Sequence, residues 1–280
     1  MKYLIVKGWM GFGDRLQCLK MCVEYALKYN LVIYVDWTDS IFSHGSESFY
    51  SYFDLKMPKF ELKDLDPNLT VFPACWKDKL DKPITQDFLN TNPPNINIGN
   101  LTKVYDEDIL VYSCIGYRQL YNNSKFFTDV FRVIHPNLLN RIYSRIPLNT
   151  KIGVHLRGTD RLQNQSKSHR FRGIRLRMLS LGLNSGQDFI AVTDDEEFSG
   201  LWKNNFYFPL LTTHMFSGNQ GNHYKTDLSI SKDTLNIDML TDFFTLALCK
   251  DVLSSSKDSR FAQEAQRLHP SIMDCIPSTF

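Results

Sequence analysis

Four short polar segments carry residue types that could bind a nucleotide or another anion. They are GWMGFGDR at 8–15, VHLRGTD at 154–160, AVTDD at 191–195 and DVLSSSKDSR at 251–260. Each segment follows or ends a run of apolar residues that predicts a β-strand. Ligands of α/β proteins bind where parallel strands end, so these segments are the candidates for a binding site.

The first segment places glycines between a predicted strand and a predicted helix. Backbone N–H groups of Gly11, Phe12 and Gly13 could approach a phosphate there, and the helix N-terminus favours negative charge. The glycine order differs from the dinucleotide fingerprint G-x-G-x-x-G, although Asp36 stands where the ribose-binding acid is expected. A tight turn without a ligand is the alternative. Asp14 either stabilises the helix dipole or accepts a proton from an attacking hydroxyl.

The second segment ends a buried strand with His155 and Arg157, two side chains that need polar partners. The guanidinium of Arg157 suits a bidentate contact with a diphosphate. His155 could donate to a phosphate or position Arg157. The alternative is a structural ion pair of Arg157 or Arg161 with Asp160.

The third and fourth segments could complete the same site. Thr193 and Asp194 could bind a nucleobase or a ribose, or they could precede a helix whose first turn is acidic. The hydroxyl and N–H groups of Ser254, Ser255 and Ser256 come before a predicted helix and could form an anion nest. Serine clusters are also common in simple turns.

The elements that must position these segments fall into two α/β series. Apolar runs predict strands, and helical periodicity predicts a helix at 15–29, so residues 3–36 form a βαβ unit. The predicted strands are 3–6, 31–35, 110–114, 152–156, 188–192, 206–211 and 251–253. Further predicted helices are 126–134, 136–146, 238–249 and 259–268, and a basic loop followed by a helix is predicted over 162–182. The chain therefore predicts two domains, 1–148 and 149–280.

Composition narrows the possible partners and location. The 280 residues carry a net charge of +2, which does not favour a nucleic-acid partner. The basic run at 157–177 contains Phe171 as its single aromatic residue, so a basic loop over a phosphorylated substrate explains it as well as RNA binding does. The six cysteines lack metal-ligand spacing, and no secretory signal or membrane span is recognisable. We expect a cytoplasmic protein with neither a bound metal nor a cofactor.

Together the four segments resemble the fucosyltransferase superfamily, which includes nodulation-type and core α1,6-fucosyltransferases and protein O-fucosyltransferases. GFGDRL (11–16) resembles the family's G-x-G-N-x-L, and HLRGTD (155–160) resembles H-x-R-R-x-D. VTDD (192–195) is similar to A-T-D-D, and 242–262 is similar to the third motif. The compact, anchor-free chain also resembles chlorovirus-encoded glycosyltransferases, so a viral or bacterial enzyme is expected.

The resemblance implies a GT-B-like architecture, with two Rossmann-like domains facing a cleft. It implies inverting, metal-independent transfer from a nucleotide sugar to a glycan, with the N-terminal domain on the acceptor side. Arg157 would contact the donor diphosphate, Thr193 and Asp194 the nucleoside, and the serines at 254–256 a phosphate.

Two departures from the family pattern leave the donor open. Gly158 replaces the second arginine of the family motif, and Asp14 replaces its asparagine, where an acid could act as the base. The donor is therefore GDP-fucose or a UDP-sugar such as UDP-xylose, making a xylosyltransferase the alternative to a fucosyltransferase. The alternative functions, from other classes of protein, are a glycan-binding pseudoenzyme and a Rossmann-type NAD(P) oxidoreductase.

Overall fold

The computed structural model describes residues 1–39, 47–92, 97–98, 101–114, 125–158, 166–217 and 229–277. The chain divides into two compact units. The first contains Met1–Ile134 together with the C-terminal residues from Asp274 onwards, and the second contains His135–Met273. The division thus falls before the predicted boundary at 148, and the end of the chain returns to the first unit.

The described residues of the first unit form six strands and three complete α-helices, and a further helix crosses the division between the units. They are β1 (Tyr3–Lys7), α1 (Phe12–Tyr29), β2 (Val32–Asp36), α2 (Phe49–Tyr52), β3 (Phe53–Leu55), β4 (Val71–Phe72), α3 (Gln86–Thr91), β5 (Ile109–Ser113) and β6 (Phe131–Val133), with α9 (Ile272–Cys275) at the division between the units. Short 3-10 helices cover Leu62–Asp64 and Ala74–Trp76, and a π-helix covers Phe126–Val130.

The described part of the second unit contains three strands. Its elements are α4 (Pro136–Tyr143), β7 (Ile152–Leu156), α5 (Lys167–Ser180), β8 (Phe189–Thr193), α6 (Glu196–Asn205), α7 (Lys232–Leu248), β9 (Asp251–Ser254) and α8 (Arg260–Leu268). Short 3-10 helices cover Ile146–Thr150, Leu183–Ser185 and His269–Ser271.

The main sheet of the first unit is parallel, with the strand order β2-β1-β5-β4. The pairing of β1 with β2 on either side of α1 confirms the predicted βαβ unit. Ile5, Ile109 and Val111 pack against Trp76 and Ile84 in a buried apolar cluster. This packing fixes the carboxyl ends of β1 and β2. The glycine segment begins directly after β1.

One lysine and one arginine are buried at that sheet edge, and each side chain has a carboxylate partner. Lys7 pairs with Asp36, and its Nζ also donates to the carbonyl oxygen of Leu80 at 2.5 Å. Arg15 makes a two-pronged contact with Asp39, with N–O distances of 2.6 and 2.7 Å. Burying a cation without such a partner would be costly, so these pairs hold the edge together.

The sheet of the second unit is parallel, with the order β8-β7-β9. Its core joins strand residues such as Val154 and Ala191 to Ile174 and Met178 of α5 and to Trp202 of α6. Strand β7 is therefore central and buried along its whole length, as its continuous apolar run predicts.

One predicted helix is correct only in its first half, and one predicted strand is wrong. The segment 126–134 has apolar residues at helical spacing, but it forms the π-helix and then β6, which pairs antiparallel with β3. The segment 206–211 makes a single bridge, between Leu210 and Ala191, and no strand. Pro209 has no N–H to donate, so the ladder cannot continue there.

A glycine at the end of β1 allows the buried Arg15–Asp39 pair to form. A Cβ at Gly8 would lie 2.2 Å from Nη1 of Arg15 and 2.8 Å from Oδ2 of Asp39. We expect Gly8→Ala to lower the free energy of unfolding by about 2 kcal/mol or more, through overpacking. Gly173→Ala is the matched control, because a Cβ there meets nothing within 4 Å and should stabilise α5 by about 0.5–1 kcal/mol. Urea unfolding of both variants measures this, and equal effects would contradict the prediction.

Candidate functional site

The predicted segments of the second unit end side by side because the register of the sheet aligns them. His155 pairs with Ser254 across β7 and β9, and Leu156 pairs with Thr193 across β7 and β8. Arg157 and Ser255 therefore leave the sheet together at its carboxyl edge. This is the edge at which open α/β sheets bind ligands.

Arg157 and Ser255 are tied to each other through backbone groups. The N–H of Arg157 donates to Oγ of Ser255 at 2.8 Å, and the N–H of Ser255 donates to the carbonyl oxygen of His155 at 2.9 Å. Both side chains are half-buried. The contacts fix the point from which the guanidinium leaves the sheet.

His155 connects β7 to the serine segment and to the N-terminus of α8. Its side chain is buried, and Nδ1 lies 3.4 Å from Oγ of Ser254 and 3.2 Å from Oγ of Ser259. Ser259 is the N-cap of α8 and accepts from the N–H of Ala262 at 3.3 Å. The N–H of Ser256 donates to Oγ of Ser254 at 3.2 Å. The imidazole is thus placed to position the serines.

Thr193 and Asp194 differ in what they can present to a ligand. Thr193 is 1% exposed, and its hydroxyl donates to the carbonyl oxygen of Leu156 at 2.7 Å. Its side chain therefore joins two strand ends and does not face solvent. Asp194 is half-buried, and its Oδ1 accepts from the N–H of Gly158 at 3.3 Å. Asp160 and Arg161, the alternative ion-pair partners, lie outside the described residues.

The position after Arg157 has room only for glycine. A Cβ at Gly158 would lie 2.3 Å from Cβ of Asp195 and 2.4 Å from its Cγ. Asp195 is fully buried, caps α6 through the N–H of Phe198, and pairs with the buried amine of Lys167. This ion pair joins the starts of α5 and α6 behind the sheet edge. The packing around Asp195 therefore excludes an arginine at position 158, where the family motif has one.

Asp242, the first residue of the segment 242–262, is linked to Thr193 in a way that the sequence did not predict. The N–H of Thr193 donates to Oγ1 of Thr212 at 2.9 Å, and Oγ1 of Thr212 donates to Oδ2 of Asp242 at 2.6 Å. Burial raises the pKa of Asp242 to about 7, against the opposing effects of Thr212 and Arg145. The link crosses from a helix to a strand end, so no local pattern could have shown it.

The glycine segment of the first unit presents backbone and one carboxylate. Gly11 is the N-cap of α1, Gly13 is buried, and Asp14 is a half-buried acid in the first turn. Phe12 is 4% exposed and its ring packs against Phe53, with ring centroids 5.8 Å apart. Phe12 can therefore contribute only its backbone to a ligand. Asp36, the expected ribose acid of a dinucleotide site, is occupied by Lys7 and by the N–H of Thr38 at 3.0 Å.

The described residues contain neither a metal-binding cluster nor a membrane-spanning helix. No group of three or more His, Cys, Asp or Glu side chains among them could hold a metal ion. None of the helices in the described ranges is long and apolar enough to span a bilayer. All six cysteines are free thiols, and five of them are buried.

Comparison with known proteins gives similarities of structure and none of sequence. No family model matches the chain, and no curated protein matches it significantly. The fucosyltransferase NodZ from Bradyrhizobium has a TM-score of 0.67 and 15% identity, over 95% of this chain and 93% of NodZ. A NodZ alpha-1,6-fucosyltransferase soaked with GDP-fucose gives 0.64 and 16%, over 96% and 94%. A variant of Arabidopsis thaliana FUT1 in complex with GDP gives 0.51 and 15%, over 96% of this chain and 69% of FUT1.

These similarities and the two parallel sheets define the class of fold. It is an α/β fold of the GT-B type, with two Rossmann-like units. The predicted fold class is confirmed, and the resemblance to the fucosyltransferases holds for the three-dimensional fold.

The raised pKa of Asp242 predicts a pH-dependent stability. Between its ordinary value of 3.8 and about 7, the unfolded chain loses this proton while the folded protein keeps it. The free energy of unfolding should therefore fall as pH rises through this window, by about 1.4 kcal/mol per pH unit from this group. Arg145, Asp238 and Asp194 set the local charge and stay in place in the test.

Urea unfolding of the wild type and of Asp242→Asn across this pH window measures the effect. The variant should lose less stability than the wild type as pH rises, because it has no carboxyl group to deprotonate. Asp106→Asn, which changes an exposed carboxylate, should keep the wild-type slope. Parallel curves for wild type and Asp242→Asn would contradict the assignment.

Proposed function

We propose that the protein is an inverting glycosyltransferase that moves a sugar from a nucleoside-diphosphate sugar to a hydroxyl group of a glycan. One observation carries the proposal. At the carboxyl edge of the second sheet, Arg157, the buried His155 and the serine segment meet at the N-terminus of α8. That combination suits a diphosphate, and the fold is shared with NodZ, for which GDP and GDP-fucose complexes are described.

The chemistry of this edge favours an anion over a neutral ligand. A guanidinium can bind two phosphate oxygens at once. The serine hydroxyls at 254–256 add donors, and the N-terminus of α8 adds a favourable dipole. In this arrangement Arg157 contacts the diphosphate, the serines contact a phosphate, and His155 positions them.

The nucleoside would lie on the β8 side of this edge. Asp194 is half-buried there and would contact a ribose hydroxyl or a base. Thr193 supports it from within, through the link to Thr212 and Asp242. The backbone N–H groups of Gly11, Phe12 and Gly13, at the N-terminus of α1, are the further donor contacts that we propose.

The reaction then follows as a single displacement. The acceptor oxygen forms a bond to the anomeric carbon while the bond from that carbon to the diphosphate oxygen breaks, which inverts the configuration. Asp14 takes the proton of the acceptor hydroxyl, and the leaving electron pair goes to the diphosphate. Arg157 and the hydroxyls stabilise the charge that develops there, so we propose that no metal ion is required.

The proposed donor is either GDP-fucose or a UDP-sugar such as UDP-xylose. Gly158 leaves this site without the second arginine of the family motif, and the buried Asp195 prevents any larger side chain there. An NAD(P) oxidoreductase fits less well, because Asp36 is already engaged by Lys7 and Thr38.

A ligand panel tests the donor site. Calorimetry and thermal shift in EDTA should detect binding of GDP or UDP and of the matching nucleotide sugar. A ligand at 100 times its Kd should stabilise the fold by about 2.7 kcal/mol. Selectivity for GDP would indicate the fucosyl donor, and selectivity for UDP would indicate a UDP-sugar. A response to NAD alone, or to no nucleotide, would overturn the proposal.

Arg157→Ala should weaken binding of that nucleotide by about 10- to 150-fold, because it removes hydrogen bonds to a charged group. Arg157→Lys should recover only part of the affinity, since the amine cannot make the bidentate contact. Arg172→Ala changes an exposed arginine of α5 and should bind as the wild type does. Unchanged affinity in Arg157→Ala would refute the site.

The role of Asp14 is tested by Asp14→Asn. We expect turnover to fall by about 10²–10⁴-fold, because a general base is lost, while the Kd of the donor stays unchanged. Asp233→Asn, in the first turn of α7, controls for the loss of a helix N-terminal charge. Near-full turnover by Asp14→Asn would show that another group, or water, takes the proton. Nucleotide binding with no turnover in the wild type would favour the pseudoenzyme.

A further inference from the structure

A groove at the carboxyl edge of the first sheet is not used by the proposed donor site. Its volume is about 630 Å³. It is lined by Trp9, Thr38, Asp39, Pro83, Ile84, Thr85 and Gln86. The lining comes from the ends of β1 and β2 and from the segment that leads into α3. The groove therefore lies where an α/β sheet binds its ligand.

The charges around this groove are compensated. Asp39 is 5% exposed, and both of its carboxylate oxygens accept from the guanidinium of Arg15. Lys7, at the end of β1, is buried against Asp36, and burial lowers its pKa. Among the described lining residues there is no cation for a phosphate to pair with. A neutral ligand fits this edge, in contrast to the edge of the second sheet.

The lining combines an aromatic surface with hydrogen-bonding groups. Trp9 is half-buried and packs against the cluster of Ile5, Trp76 and Ile84, which supports its ring from the core side. Gln86 and the hydroxyls at 38 and 85 border the groove. Nε2 of Gln86 donates to Asn90, Oγ1 of Thr85 accepts from the N–H of Phe88, and the hydroxyl of Thr38 donates to Asp36. The amide oxygen of Gln86, the hydroxyl proton of Thr85 and a lone pair of Thr38 are the groups that a sugar could use. A pyranose ring has an apolar C–H face and a rim of hydroxyls, and this lining matches both.

The loop that carries Trp9 is held in one conformation. Nε of Arg15 donates to the carbonyl oxygen of Met10 at 3.0 Å, and Met10 has a positive φ of 63°. The same connection between β1 and α1 leads to Asp14 in the first turn of the helix. An aromatic platform and the proposed base thus belong to one fixed segment.

We propose that this groove binds a pyranose ring of the acceptor glycan, with the face of the sugar stacked on Trp9. The identification of this sugar as part of the acceptor rests on the proposed function. Binding of a sugar to Trp9 can nevertheless be measured without any transfer reaction.

The test uses the full chain and NMR of the tryptophan indole N–H groups, with the Trp9 signal assigned from Trp9→Phe. The probes are the methyl glycosides of glucose, galactose, mannose, N-acetylglucosamine, rhamnose and fucose, at millimolar concentrations. We expect at least one glycoside to shift the Trp9 signal in a saturable way. Trp9→Ala should weaken its Kd about tenfold, because the stacking contact is lost, and should leave the Kd of the nucleotide unchanged.

Two further variants guard against a folding defect in Trp9→Ala. Gln86→Arg places a larger, charged side chain at an exposed position of the groove and should weaken glycoside binding without affecting the fold. Tyr207→Ala removes a fully exposed aromatic residue of the second unit and should bind the glycoside as the wild type does.

The possible failures are distinguishable. If no glycoside shifts the Trp9 signal, or if Gln86→Arg and Trp9→Ala bind the glycoside with unchanged Kd, the groove proposal is overturned even when nucleotide binds. If the glycoside binds at Trp9 but no nucleotide binds, the groove stands as a sugar site and the proposed transferase fails.

Discussion

The candidate donor site depends on the hydrogen-bonding contacts of the buried His155 imidazole. It lies within hydrogen-bonding distance of Ser254 and Ser259, which belong to β9 and to the N-cap of α8. A buried polar ring must be paired, and here the pairing also fixes the serine segment against the end of β7. Arg157 then leaves the sheet beside hydroxyls whose positions are already set, so little ordering remains when an anion binds.

The carboxyl edges of the two sheets differ in how their polar groups are paired. In the first unit, Lys7 and Arg15 are neutralised by Asp36 and Asp39, and the edge offers an aromatic groove without a free charge on its described lining. In the second unit, the edge offers serine hydroxyls and Arg157, and the backbone N–H groups of Arg157 and Ser256 hold those hydroxyls in place. The difference in charge supports a division between a neutral sugar and an anionic donor.

Gly158 shows how packing determines a departure from a family motif. Asp195 occupies the space that a side chain would need, and it cannot move away easily because it caps α6 and pairs with Lys167. Arginine at 158 would therefore require a rearrangement of two helix starts. In the proposed function, the diphosphate is therefore held by Arg157 and by the hydroxyls of the serine segment, without a second arginine directly after Arg157.

Features that depend on local periodicity could be predicted from the sequence. The βαβ unit at the N-terminus, the buried strands β7 and β8, the partly buried strand β9, and the polar residues directly after these strands all follow from apolar runs and helical spacing. Features that depend on distant partners required the three-dimensional structure. Pairing with β3 made residues 131–133 a strand despite their helical spacing, burial next to Thr212 raised the pKa of Asp242, and the groove at Trp9 combines three separate segments. Periodicity reports which side of an element is buried, whereas pairing, desolvation and cavities depend on which elements meet.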